Sequence, residues 1–192
     1  MIGLIYVLHV IKTMMGMALE ICVVNMRLNL GAGNTKLDGF ISVDKYDKAA
    51  DVQADITELP YGDNSVDEIV AYQVIEHVPY NLNQKMFEEF YRVLKEGGTC
   101  ILETPDIDVI CKFILRDGLT DQWRHNLVGE YHRPWDKERY DDWEHNAGSI
   151  HRNPWNYALI EQHALNAGFK VVARREPDFY PVEENMSVGL IK

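Results

Sequence analysis

The chain has 192 residues, enough for one domain with a sizeable core, and 46% apolar with 26% charged residues is an ordinary balance for a globular protein. Its formal net charge of −11, with Lys and Arg scattered, argues against nucleic acid as a partner, because phosphate binding needs a basic face. Cys22, Cys100 and Cys111 are an odd count without a CxxC spacing, which reads as reduced thiols in a cytoplasmic protein.

Residues 1–25 stand apart, because the run from Ile2 to Val24 is mostly apolar. A membrane span is disfavoured by His9, Lys12 and Glu20 inside it, since Glu20 alone would cost about 2.5–3.5 kcal/mol on insertion scales. There is no basic start or small-residue cleavage site to mark a signal peptide. The segment is expected to be a helix packed on the domain, or an upstream extension with Met26 opening the domain proper, residues 26–192.

From Met26 onward, short strand-like runs alternate with helical patterns, which predicts an α/β fold on a mostly parallel sheet. Met26–Leu30 is a first strand ending in Gly31-Ala32-Gly33, Phe40–Val43 a second ending at Asp44, and Val52–Asp55 a third. Asp67–Tyr72 is a fourth. Met86, Phe87, Phe90, Tyr91 and Leu94 fall at helical spacing, predicting a helix over Leu82–Leu94 closed by Gly97-Gly98. Thr99–Glu103 is a fifth strand, and Ile107–Leu115 a helix. Residues 117–153 are polar, aromatic and irregular, too long for a simple connection, and are expected to form an insertion or lid over an acceptor site. Asn153-Pro154 should cap a helix running to Ala167, before final strands over Phe169–Arg174 and Met186–Ile191.

Four motifs bear on function. Leu28-Asn29-Leu30-Gly31-Ala32-Gly33-Asn34 runs a strand into a tight glycine turn, where missing side chains let a ligand approach the backbone. The dinucleotide fingerprint needs a third glycine opening a full helix and an acidic residue ~20 positions on. Here Lys36 stands at the third glycine's place, and Asp44 follows Gly31 by 13 positions. A pyrophosphate platform is therefore poorly supported, and a ligand with a ribose but no phosphate fits better. Asp44, at a strand's carboxyl end, can accept from both ribose hydroxyls. Asp55 can accept from an adenine amino group while the Ile56 N–H donates to a ring nitrogen, although Asp47, Asp51 and Glu58 leave a solvated acidic loop open as the alternative. Last, Tyr72-Gln73-Val74-Ile75-Glu76-His77-Val78 puts a polar Gln73 and two titratable groups at the ligand-binding edge, where His77 has a site role or a structural one.

Taken co-linearly, LNLGAGN, GFISVD, ADITELPY, NSVDEIVAYQVIEHV, FYRVLKEGGTCILETPD and LNAGF resemble the class I S-adenosylmethionine (SAM)-dependent methyltransferases. The likeness is to the small-molecule and glycan-modifying group often called type 11, and it covers about residues 26–110 and 153–192. The resemblance implies a Rossmann-like seven-stranded sheet, mostly parallel with an antiparallel last strand and helices on both faces, and SAM as cofactor. It further implies that Asn29, Gly31, Ala32 and Gly33 border SAM, that Asp44 holds its ribose, that Asp55 and Ile56 read its adenine, and that Gln73 lies near its methionine part. Two departures stand out: the family often has an acidic residue where this chain has Asn29, and its helix after the glycine turn is usually longer.

All four tryptophans and four of the seven histidines fall within residues 123–155, which suits a sugar or another amphipathic small-molecule acceptor. The expected reaction is methyl transfer from SAM to a hydroxyl, with His77, His132 and His151 as candidate bases and Glu130 beside them. Glu130, His132, His145 and His151 match no compact metal-ligand spacing, so no metal site is assigned. A SAM-binding module without catalysis and an NAD-dependent oxidoreductase are the alternatives.

Overall fold

A computed structural model describes residues 25–128, 151–177 and 183–192. Seven strands form one sheet: β1 (Arg27–Leu30), β2 (Ile41–Asp44), β3 (Val52–Gln53), β4 (Val66–Tyr72), β5 (Leu94–Pro105), β6 (Val171–Arg175) and β7 (Asn185–Ile191). Their spatial order is β3-β2-β1-β4-β5-β7-β6. β1, β2, β3, β4 and β5 pair in parallel, whereas β7 runs antiparallel to both β5 and β6. The chain first winds outward from β1 to β3, then returns to place β4 on the other side of β1. The strand order therefore reverses between β1 and β4, and such a switch point opens a crevice at the strands' carboxyl ends.

Side-chain alternation along the strands builds the core. Leu28, Leu30, Val43, Ile69, Ala71, Cys100, Leu102, Val188 and Leu190 belong to one buried cluster. Helix α1 (Asn83–Val93) adds Met86, Phe87, Phe90 and Val93, and α4 (Tyr157–Ala167) adds Ile160 and Ala164. Phe87 packs edge-on to Trp155 and stacks on His163, which locks α1, α4 and the segment before α4 together. Two further helices, α2 (Ile107–Asp117) and α3 (Asp121–Val128), follow β5 and meet through the stacked rings of Phe113 and Trp123.

Three local expectations are corrected. Gly97-Gly98 does not end α1: the helix stops at Val93, and Leu94 already pairs with Val66. The glycines instead serve a bulge, because the register passes from Val66↔Leu94 to Glu68↔Thr99. Gly97 has φ +77, and a Cβ on Gly98 would lie 2.8 Å from the Lys95 carbonyl oxygen. Asn153 is not the cap of α4. Asn156 is, its side chain accepting from Leu159 N–H, while buried Asn153 donates to the Val78 carbonyl and to Asn83 Oδ1. The stretch expected to be irregular from 117 contains α3. The expectations for residues 1–24 and 129–150 lie outside the described residues.

Candidate functional site

The crevice is built from three strand ends. After β1 the chain turns through Gly31 (φ +63) and Gly33 (φ +50), and the two glycines answer to different demands. A Cβ on Gly31 would lie 2.2 Å from Val74 Cγ2, so this glycine lets the loop after β4 pack onto the turn. None of the described residues lies within 4 Å of the Cβ position on Gly33, which leaves open space at its side of the turn. Ala32 N–H donates to the Val43 carbonyl, anchoring the turn to β2. Buried Asn29 donates from Nδ2 to the Thr35 carbonyl and so closes the loop that replaces a crossover helix.

Asp44 ends β2 and organises its surroundings: Oδ2 accepts from Gly33 N–H at 2.8 Å, and Oδ1 from the backbone N–H groups of Tyr46 and Asp47. Parallel pairing of Asp44 with Gln53 brings Asp55 alongside. Burial pushes the Asp55 carboxyl up, but the Thr57 backbone and hydroxyl donors and the Lys45 ammonium outweigh it and hold the pKa below the ordinary value. Ile56 beside it is buried. One network was not foreseen: Lys36 Nζ reaches Ser42 Oγ, the Ala49 carbonyl and Asp51, and Asp51 also accepts from Ser42. The Ser42 hydroxyl and backbone donors, then Lys36, lower the Asp51 pKa to about 2. Lys36 is thus the brace of the β2–β3 loop, and the residue type at a glycine's expected place was the available signal.

Across the switch point, β4 ends at Tyr72 and Gln73 follows in the left-handed region at φ 54. Non-glycine residues pay strain there, and such strain gathers at ligand sites. The Gln73 backbone N–H is held by the Glu103 carbonyl, while its side-chain Nε2 is buried with no hydrogen-bond partner among the described residues. An orphaned amide donor beside an open glycine turn and an acidic strand end fits a ligand that brings an acceptor group and a ribose.

Next comes a 3-10 turn, Ile75–His77. Glu76 is fully buried; Oε2 accepts from the Thr104 hydroxyl at 3.0 Å and Oε1 has no hydrogen-bond partner among the described residues. Burial pushes its carboxyl up to about 7, against the smaller opposing pull of its own backbone N–H and of Thr104. His151 arrives from far along the chain, because Arg152 and Asn153 donate their backbone N–H groups to the Glu76 carbonyl. Its ring meets that of His77 edge-on with centroids 5.0 Å apart, and its Nδ1 lies 2.9 Å from the Asn126 carbonyl. Two of the three expected bases, His77 and His151, are therefore brought together beside Glu76, and His132 lies outside the described residues. The adjoining cavity, lined by Glu76, Asn126, His151 and Asn153 among others, is about 10 Å3, the size of a single water or ion.

Comparison with known proteins follows the same lines. A family model described as a methyltransferase domain matches residues 35–102. No curated protein matches the sequence. Among solved structures, a SAM-dependent methyltransferase from Archaeoglobus fulgidus superposes with a TM-score of 0.58 at 14% identity, covering 88% of this chain and 86% of that one. One from Thermotoga maritima gives 0.55 at 15% identity, with 88% and 82% covered. Another from Methanosarcina mazei gives 0.55 at 14%, with 87% and 91% covered. At such identities the likeness is one of fold, and the glycine turn, Asp44 and Gln73 sit within it at the switch point.

Proposed function

We propose that the chain is a class I SAM-dependent methyltransferase, with SAM as its cofactor, that methylates a hydroxyl oxygen of a sugar or another small molecule; the methyltransferase-domain match over residues 35–102 and the methyltransferase-like fold support this reading. Bound SAM supplies the activated methyl group. Asp44, Asp55 with Ile56, and the turn of Asn29, Gly31, Ala32 and Gly33 hold the nucleoside, and the strained Gln73 donates Nε2 toward the amino-acid end.

The observation that supports an oxygen acceptor is the meeting of His77 and His151 at the crevice edge, His77 lying three residues past Val74 and its glycine contact. A hydroxyl must lose its proton as it attacks, and an imidazole is suited to take it near neutral pH. A carbonyl only accepts, so His151 Nδ1 carries the proton it gives to Asn126, and Nε2 is the basic nitrogen. His151 is accordingly the base and His77 its neighbour. The acidic charge, −11 overall, disfavours nucleic acid as acceptor, and the free thiols of Cys100 and Cys111 suit a reducing, cytoplasmic setting. No helix of the described residues is long and apolar enough to cross a membrane.

The test is S-adenosylhomocysteine release from SAM with panels of sugar, phenolic and aliphatic hydroxyl acceptors and matching amines. His151→Ala should lower kcat about 10²–10⁴-fold on the accepted hydroxyl and abolish the acidic limb of its pH profile, with SAM affinity unchanged. Turnover of amines only would refute the oxygen assignment. Tight SAM binding without turnover of any acceptor would favour a non-catalytic binding module.

A further inference from the structure

The cluster at the crevice edge has the composition and support of a coordination site, which sequence spacing could not show because its members come from two distant segments. Among the described residues Glu76 presents a buried Oε1 with no hydrogen-bond partner, while its Oε2 is fixed by Thr104. His77 Nε2 lies 3.9 Å from that Oε1. His151 is oriented through Nδ1 by the Asn126 carbonyl, so its other nitrogen carries a lone pair. One donor atom from each of the three residues lies within 4.8 Å of the other two.

We infer that Glu76, His77 and His151 bind one divalent transition-metal ion of the zinc class. Two imidazoles and one carboxylate make a nitrogen-rich set that favours zinc over magnesium or calcium, which call for oxygen donors throughout. Zinc–ligand bonds of about 2.0–2.2 Å hold tetrahedral donors about 3.3 Å apart, so these side chains close by about 1 Å, a torsional adjustment. The supporting shell is in place: the Thr104 hydroxyl on the carboxylate and the Asn126 carbonyl on the imidazole are the partners that orient ligands in metal sites. The adjoining cavity of about 10 Å3 leaves room for a fourth, water ligand. Metal binding stands independently of the function proposed above; only one consequence rests on that reading, namely that zinc engages the imidazole assigned to proton uptake and so slows methyl transfer.

The test is calorimetric titration of chelator-stripped full-length protein with zinc chloride, and with magnesium chloride as control. The expected result is one equivalent of zinc bound, no magnesium heat, and at least tenfold weaker zinc binding in His77→Ala and in His151→Ala. X-ray absorption on zinc-loaded wild type needs no variant and should show two imidazoles and oxygen. Absence of stoichiometric zinc binding, equal affinity in the wild type and both variants, or sulfur in the coordination shell would each overturn the inference. Zinc bound as expected but without effect on methyl transfer upholds the metal site and instead removes His151 as the base.

Discussion

At the residue scale, the two glycines of the first turn make the sharpest contrast. Both sit at positive φ, yet Gly31 faces Val74 at a distance no Cβ can occupy, and Gly33 faces open space. Gly31→Ala combines left-handed strain with overpacking against a stiff β-branched neighbour, and is expected to cost about 2–4 kcal/mol in urea denaturation. Gly33→Ala carries the backbone strain alone, about 1–2 kcal/mol, and its larger effect should be on SAM affinity in calorimetry. A protonation prediction belongs at the same scale. Burial lowers the pKa of His163, which lies stacked on Phe87 and paired through Nδ1 with Gln84 Oε1. A depressed folded pKa means the unfolded chain takes the proton first. The stability His163 contributes is therefore complete above its ordinary value of 6.5 and is lost as pH falls through the lower folded value. Denaturation curves at pH 7.5 and at pH ~5 should show a shallower acid loss in His163→Phe, which keeps the stacked ring.

At the element scale, α4 shows where a cap decides a boundary. Asn153-Pro154 and Asn156 both offer capping chemistry in sequence, and tertiary demand separates them. Asn153 is drawn inward to satisfy the Val78 carbonyl and Asn83, which frees Asn156 to hold the first turn through Leu159 N–H. Asn156→Ala should therefore cost about 1 kcal/mol, a lost cap. Asn153→Ala should cost about 1–3 kcal/mol, because it leaves a buried carbonyl and amide unmatched. Thermal denaturation of the two variants side by side gives the ranking. The Gly97-Gly98 bulge follows the same logic: a glycine pair after an amphipathic helix is consistent with a cap or with a bulge, and only the pairing of Leu94 with Val66 selects the latter.

For the whole molecule, one side chain ties the antiparallel part of the sheet to its parallel middle. Lys192, buried at the end of the chain, donates from Nζ to Asn64 Oδ1 and to the Tyr91 carbonyl and lies over the Tyr91 ring. It ties the strand that runs backwards to the start of β4 and to α1. Lys192→Met should lower stability by about 1.5–3 kcal/mol in urea denaturation, since charge-assisted bonds to partly buried partners are lost, while SAM affinity stays the same. A fall in SAM affinity would mean that this tether reaches the crevice.

The sequence by itself determined the strand–helix alternation, six of the seven strands to within two residues at either end, and the co-linear motifs that place Gly31, Asp44 and Gln73 at strand ends. Period-2 and period-3.6 patterns and glycine turns are local signals, set by sterics and burial over a few residues. Tertiary structure decided what depends on partners far away in the chain. It made Gly31 a packing requirement against Val74, turned Lys36 into a loop brace, moved the cap from Asn153 to Asn156, and carried His151 to Glu76 and His77. Such contacts join residues that share no spacing rule, because the sheet's reversal between β1 and β4 and the docking of residues 151–153 on the Glu76 carbonyl are properties of the closed fold.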